Sequence, residues 1–213
     1  MINIIIAVAS FFIGATLGSF YTLAIYRIPL NKDITHERSF CPNCNHRLEF
    51  LDLIPIWSYI FLGGKCRYCK HIIRPRYLIL EILSGTVFLI AYISFKISFY
   101  NINPFMITQF VFFVFIYITL IIIGFIDKEH HMVHEKTLLF GYISEAIHIA
   151  VNLIFFKQFS IYNPIFNAAL LIQLAILTIY KLREKKNKKP LPPIAFYSSI
   201  ISIITILVMN FII

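Results

Sequence analysis

The sequence predicts an all-α polytopic membrane protein with about six transmembrane helices. Of its 213 residues, 59% are hydrophobic and only 14% are charged, and the mean hydropathy is +0.80. A soluble domain of this size has too little interior to bury so much apolar surface. Apolar runs of about 20 residues, the length that crosses a bilayer as a helix, lie over residues 4–26, 77–99, 105–126, 137–156, 161–180 and 192–213.

The first apolar run is predicted to stay in the protein as a helix. It lacks the basic start and the small-residue exit of a cleaved signal peptide, and it is longer than such a peptide. Within it, Gly14 and Gly18 form a stripe of small residues that suits close packing against a neighbouring helix. The predicted organisation is a first transmembrane helix over 1–27, a loop module over 28–76 and a membrane domain with five further helices over 77–213.

The loop module contains all four cysteines of the chain, in two Cys-x-x-Cys pairs: Cys41 with Cys44, and Cys66 with Cys69. Four soft thiolates at this spacing suit a tetrahedral zinc ion. Two disulfides are the alternative, but disulfides require an oxidising compartment. So short a module has too small a core to fold unaided, and a structural zinc ion would supply the missing stability.

The lysines and arginines predict the orientation in the membrane. Segments 27–76, 127–136 and 181–190 hold nine, two and six of the 19 basic residues, and only Lys96 and Lys157 fall on the other side. Because basic loops stay inside, both termini are predicted outside, and the module and the Lys181–Lys189 loop in the cytosol. The positive charge is thus explained by topology and by contact with lipid headgroups, and it does not indicate a nucleic-acid partner.

The scarce carboxylates are the other candidates for chemistry. Asp127 ends the third apolar run, either as a boundary residue that reaches water or as a functional acid. Glu81 lies one turn inside the second run, and Glu145 shares a helical face with His148 in the fourth. A buried hydrogen bond and a role in a reaction remain open for each. The histidines of 127–135 permit a second metal site, against a plain interfacial loop that needs no ligand.

Several short motifs lie between residues 18 and 81: Gly18-Ser-Phe, Tyr26-Arg-Ile-Pro29, Asp52-Leu-Ile-Pro55, Gly64-Lys-Cys-Arg-Tyr-Cys69, Arg74-Pro-Arg-Tyr77 and Glu81. A second stretch has Ile126-Asp127 followed by Val133-His134-Glu135. Taken together, these residues resemble the type IV prepilin peptidases, most closely the competence-type enzymes of Gram-positive bacteria. The second stretch is similar to the family's I-D-x₆-[LV]-P-D segment, whose first aspartate is catalytic.

The resemblance implies a multi-pass enzyme of the bacterial cytoplasmic membrane that serves type IV pili, secretion or competence. It would cleave the leaders of prepilin or pseudopilin precursors as an aspartic endopeptidase and methylate the new N-terminus with S-adenosylmethionine. Asp127 would be one catalytic acid. The chain departs from the family pattern because it has no G-x-G-D motif and no aspartate after Asp127.

An aspartic peptidase needs two carboxylates, so the second acid is expected to be Glu135, with Glu145 as the next choice. Because no second aspartate is recognisable, cleavage itself is expected to be weak or absent. The alternatives are a shortened relative that binds or methylates pilins without cleaving them, and a zinc-bearing membrane scaffold.

Overall fold

A computed structural model describes residues 2–34, 38–95, 103–156, 162–186 and 192–212. Apart from two isolated bridges between extended residues, the regular structure of these residues is helical. Each of the six predicted apolar runs corresponds to a helix, and a π-helical turn over Asn152–Phe156 extends the fifth of the seven α-helices that the described residues form. The helices are α1 (Ile2–Arg27), α2 (Trp57–Phe61), α3 (Arg76–Ser94), α4 (Pro104–His130), α5 (Glu135–Val151), α6 (Tyr162–Lys186) and α7 (Ile194–Ile212).

Four stretches among the described residues are long and apolar enough to cross a membrane: Ile2–Leu30, Arg76–Ser94, Pro104–His130 and Glu135–Ile154. The chain is therefore a helical membrane protein, as predicted. Helices α6 and α7 cover the two remaining predicted runs, and the count of six spans stays a prediction. Lys96 and Lys157, which were predicted to lie outside, fall beyond the described residues.

The structure corrects one predicted boundary. The basic run from Lys181 was expected to be a loop, but α6 continues to Lys186. Lysine, arginine, leucine and glutamate all favour helix, so the helix continues past the end of the apolar run. Residues 187–191 lie outside the part of the chain that the structure describes.

The chain forms two compact units, Met1–Ile93 and Ser94–Ile213. In the first unit, α1 packs tightly on α3 through its glycines. A Cβ atom at Gly14 would lie 2.6 Å from the Ser84 carbonyl oxygen, and one at Gly18 would lie 2.7 Å from that of Leu80. The predicted close packing is confirmed. The predicted division at residues 27 and 76 stays a prediction.

We expect Gly18→Ala to destabilise the first unit, because the added methyl group forces α1 away from the α3 backbone. Overpacking of this kind costs about 1–3 kcal/mol, and the apparent melting temperature of the purified protein in detergent should fall. Thr16→Ala is the control, since Thr16 lies on the exposed side of α1. An equal melting temperature for Gly18→Ala and the wild type would contradict the close approach.

In the second unit, α4 packs against α5 and α7, and α6 packs against α5 and α7. The segment between α4 and α5 begins at His131, which has a left-handed backbone (φ 52°) and donates its N–H to the Asp127 carbonyl at 2.8 Å. The α6 helix holds this segment by the backbone of the fully buried Val133, whose N–H donates to Glu184 Oε2 at 3.0 Å and whose carbonyl accepts from Lys181 Nζ. The end of α6 thus fixes the start of α5.

Candidate functional site

The four cysteine thiols meet at one point of the module. Their Sγ atoms all lie within 4.8 Å of one another, and Cys41 Sγ is 3.8 Å from Cys69 Sγ. Four sulfurs bound at about 2.3 Å to a tetrahedral zinc ion would lie about 3.8 Å apart, whereas the sulfurs of a disulfide are about 2.0 Å apart. The described residues contain no other cluster of three or more His, Cys, Asp or Glu side chains that could hold a metal, so the histidines of 127–135 form none.

Two turns of identical construction present the thiols, over 41–46 and 66–71, and each has the sequence Cys-x-x-Cys-x-His. In each turn the first cysteine donates its N–H to the histidine carbonyl, and the residue after the second cysteine donates its N–H to the first cysteine carbonyl. These distances are 2.9 and 2.8 Å in the first turn and 2.8 and 3.0 Å in the second. The donors after the second cysteines, Asn45 (φ 55°) and Lys70 (φ 60°), are left-handed. The module is a duplicated knuckle.

The electrostatics of the cluster favour a bound cation. Hydrogen bonds from the His71 backbone N–H and from Asn43 lower the pKa of Cys69 to about 6. The His46 backbone N–H also lowers the pKa of Cys44, but burial and the neighbouring thiols outweigh it and raise that pKa to about 11. One thiolate therefore forms readily while the close packing of like charges opposes further ionisation. A central cation relieves this repulsion.

Asp52 joins the segment between the cysteine pairs to the second turn. Its Oδ1 accepts from Arg67 Nε at 2.7 Å, and its Oδ2 accepts from Tyr68 Oη and from the Glu49 N–H, each at 3.1 Å. The Tyr68 ring lies against His46 of the first turn, with 3.6 Å between ring centroids. Burial alone would raise the pKa of Asp52, but these three donors outweigh burial and hold it below its usual range. Asp52 therefore braces the two turns together.

We expect Asp52→Asn to destabilise the module, because Arg67 then loses the negative charge of its hydrogen-bond acceptor. A hydrogen bond to a charged group contributes about 1.5–3 kcal/mol, so the variant should release its metal faster to a chelator in solution. The contribution of Asp52 is complete above its unfolded pKa of about 3.9 and is lost as the pH falls through its lower folded pKa. If the effects of Asp52→Asn and Arg67→Gln simply add in the double variant, the two residues are not coupled.

Glu81 anchors a strained turn of the module. Its Oε2 accepts the Ile56 N–H at 2.7 Å, and it also bonds the Ser19 hydroxyl. Ile56 has φ 66° and ψ −53°, and the Trp57 N–H donates a hydrogen bond to the Pro55 carbonyl at 2.7 Å. This geometry is that of the rare classic γ-turn. A Cβ at Gly18 would lie 2.9 Å from Glu81 Cα. Motif residues of α1 and α3 thus meet Ile56, which follows the Asp52–Pro55 motif, in one junction, and this favours a structural role for Glu81.

Asp127 lies in the last turn of α4 with no exposed surface. Its Oδ1 accepts from Tyr180 Oη at 2.9 Å, and its Oδ2 accepts from the Phe196 N–H at 3.2 Å. Because α7 begins at Ile194, the Phe196 N–H belongs to its first turn, where N–H groups lack helical acceptors. A carboxylate there also meets the positive end of the helix dipole. Asp127 therefore caps α7 and is not a boundary residue that reaches water.

The two glutamates considered as partners lie in different surroundings. Glu135 begins α5, its side chain is 78% exposed, and its Oε1 is 3.8 Å from Lys181 Nζ. Glu145 is fully buried, with Oε2 at 3.9 Å from His148 Nδ1. Neither is among the described contacts of Asp127. The described contacts of Asp127 join it to Tyr180 and to the start of α7, and neither Glu135 nor Glu145 is among them.

His148 belongs to a hydrogen-bonded polar network that joins α4 to the end of α5, and Glu145 lies beside it. His148 Nε2 lies 2.8 Å from Gln109 Oε1, whose Nε2 donates to Asn152 Oδ1 at 2.7 Å, and Asn152 donates back to the His148 carbonyl at 3.0 Å. These bonds favour the structural role that the sequence left open for His148. Gln109, Asn152 and Tyr180 were not predicted from the sequence, in which Gln109 and Asn152 only interrupt apolar runs and Tyr180 only ends one.

The first unit is similar in sequence to a family of known proteins. The family described as the bacterial peptidase A24 N-terminal domain matches residues 12–95. A "Prepilin leader peptidase/N-methyltransferase" of Bacillus subtilis (strain 168) is 44% identical over 88 residues, which are 41% of this chain and 36% of that protein. The protein of the same name from Myxococcus xanthus (strain DK1622) is 40% identical over 82 residues, which are 38% of this chain and 24% of that protein.

A longer alignment reaches beyond the first unit. A third protein of that name, from Dichelobacter nodosus, is 28% identical over 177 residues, covering 67% of this chain and 59% of that protein. The chain thus spans from about a quarter to about three fifths of the length of these relatives. No solved structure matches the chain significantly.

Proposed function

We propose that this chain, which belongs to the type IV prepilin peptidase family through its residues 12–95, is an enzyme of the bacterial cytoplasmic membrane that processes prepilin or pseudopilin precursors. The observation that carries the proposal is the junction of Gly18, Ser19, Ile56 and Glu81. Motif residues that are far apart in the sequence fit together there, as they would in a working family member. The positive-inside rule supports a cytosolic position for the module.

We assign a structural zinc ion to Cys41, Cys44, Cys66 and Cys69. The thiol spacing matches a tetrahedral site. Four protein ligands fill the coordination sphere, so no water is activated at the metal. The ion would hold the two knuckles together and keep the module next to the end of α1, while the chemistry of processing takes place elsewhere.

For cleavage we propose Asp127 as one acid and Glu135 as its partner. In an aspartic peptidase one ionised carboxylate takes a proton from the attacking water, while the protonated partner donates to the scissile carbonyl oxygen. Because Asp127 is fully buried under Phe196, a peptide bond can reach it only if the start of α7 withdraws. Glu135 begins α5, and only four residues separate it from the end of α4.

For methylation we propose S-adenosylmethionine as the donor of the methyl group. The support is the name of the relatives, prepilin leader peptidase/N-methyltransferase. The acceptor would be the amine that cleavage of the leader exposes. A protein that only methylates or only binds pilins is the alternative.

The test uses membranes that contain the full chain, mixed with a prepilin-type precursor and S-adenosylmethionine. A shortened product whose new N-terminus carries a methyl group, detected by mass spectrometry, would support the proposal, and its yield is expected to be low because the chain has no recognisable second catalytic aspartate. A methylated but uncleaved precursor would favour the alternative. A precursor that is neither cut nor methylated, by membranes in which the chain is folded and zinc-loaded, would contradict the proposed function.

A further inference from the structure

An open cleft of about 900 Å³ lies within the first unit, between the end of α1 and the first knuckle. One wall is apolar and comes from Phe20 and Leu23, which lie in the last two turns of α1. The other lining residues belong to the module and include Arg38 and Arg47 together with the apolar side chains of Ile34, Leu48, Phe50 and Leu53. The cleft thus combines an apolar surface on a membrane-spanning helix with a basic surface on the module.

The depth of the apolar wall places the cleft at the level where hydrocarbon meets headgroups. Phe20 and Leu23 precede Arg27 by about 10 Å and 6 Å along the helix, at 1.5 Å per residue. Phe20 is 46% exposed, so the helix itself does not cover it. A bound molecule therefore needs an apolar part at hydrocarbon depth.

The charge of the basic wall requires an anionic group on the same molecule. The described lining residues include two guanidinium groups, Arg38 and Arg47, against a single carboxylate, that of Glu49. Neither guanidinium forms an ion pair with another described residue. Guanidinium groups bind phosphate in two-pronged geometry, and juxtamembrane basic residues attract anionic lipids.

We propose that this cleft binds one anionic phospholipid, with its phosphate between Arg38 and Arg47 and its acyl chains against Phe20 and Leu23. An acidic peptide from the cytosol fits less well, because it has no apolar part to reach the Phe20 level. Inorganic phosphate lacks the apolar part altogether. The proposal does not rest on the peptidase function. The bound lipid would fasten the module to the membrane surface.

The test is native mass spectrometry of the zinc-loaded full chain in detergent, titrated with phosphatidylglycerol or with phosphatidylcholine of the same acyl chains. We expect phosphatidylglycerol to bind at least about tenfold more tightly, because its phosphate charge is not offset, whereas the choline cation of phosphatidylcholine neutralises the same phosphate and is repelled by the two arginines. The double variant Arg38→Gln/Arg47→Gln should lose this preference. The control Lys65→Gln/Lys70→Gln removes the same charge from the same module but does not line the cleft, and it should keep the preference.

Three results would overturn the proposal. Equal binding of the two lipids would show that the cleft does not select an anion. An equal loss of preference in both double variants would show diffuse attraction by the whole module. Competition against phosphatidylglycerol by an acidic peptide without an acyl chain would show a peptide site. Zinc content, measured for each variant, verifies that the module is folded.

Discussion

Cys66→Ser is expected to reduce the metal content of the purified chain from about one zinc ion to almost none, since a structural zinc site needs four ligands. Cys66 is 4% exposed and heads the second knuckle, so serine would leave three thiols around an incomplete site. Binding of structural zinc supplies about 10–16 kcal/mol in isolated zinc-finger peptides. A short module cannot replace this from its own core, and residues 28–76 should become sensitive to protease.

The matched control is Ser58→Ala, in the same module but outside the thiol cluster, which should retain its zinc and its protease resistance. Metal analysis by mass spectrometry and thiol titration provide the measurements. Folded wild-type protein without zinc would contradict the assignment, and so would four cysteines that fail to react as thiols until they are reduced.

The sequence was sufficient to predict those features that depend on local spacing. A Cys-x-x-Cys pair places two thiols in one turn, so two pairs could be expected to meet, and the four Sγ atoms do. The stripe of Gly14 and Gly18 likewise predicted a close helix contact, since only the absence of side chains allows one. The apolar runs predicted the helices because a bilayer demands their length.

Contacts between distant residues were beyond prediction. Asp127 and Tyr180 are 53 residues apart, and no periodicity in the apolar runs relates a tyrosine near the end of α6 to an aspartate near the end of α4. The end of α6 was predicted too early because hydropathy marks where a span ends, whereas helix propensity decides where the helix ends. The contact between Asp52 and Arg67 could not be predicted, because a loop has no hydrophobic periodicity that would indicate which of its residues meet.

If the chain cleaves prepilin leaders, Asp127→Asn is expected to lower the rate of cleavage by orders of magnitude without unfolding the protein. The amide can no longer take a proton from water, but it can replace every hydrogen bond of the carboxylate. Its Oδ1 can accept the Phe196 N–H, and its Nδ2 can donate to Tyr180 Oη. The Tyr180 hydroxyl, 2.9 Å from the Pro192 carbonyl oxygen, can then donate to that oxygen. A processing assay gives the rate, and zinc content and melting temperature should stay at wild-type values.

Two further variants separate the capping role of Asp127 from its proposed chemistry. Asp127→Leu fills a similar volume but leaves the Phe196 N–H without an acceptor. A buried unsatisfied donor costs about 1–3 kcal/mol, so this variant should have a lower melting temperature than Asp127→Asn. Glu135→Gln tests the proposed second catalytic acid. Because the Glu135 side chain is 78% exposed, this variant should keep the melting temperature of the wild type. Loss of cleavage in both Asp127→Asn and Glu135→Gln would identify the pair. Cleavage that survives Asp127→Asn would place the chemistry elsewhere and leave Asp127 as the cap of α7 alone.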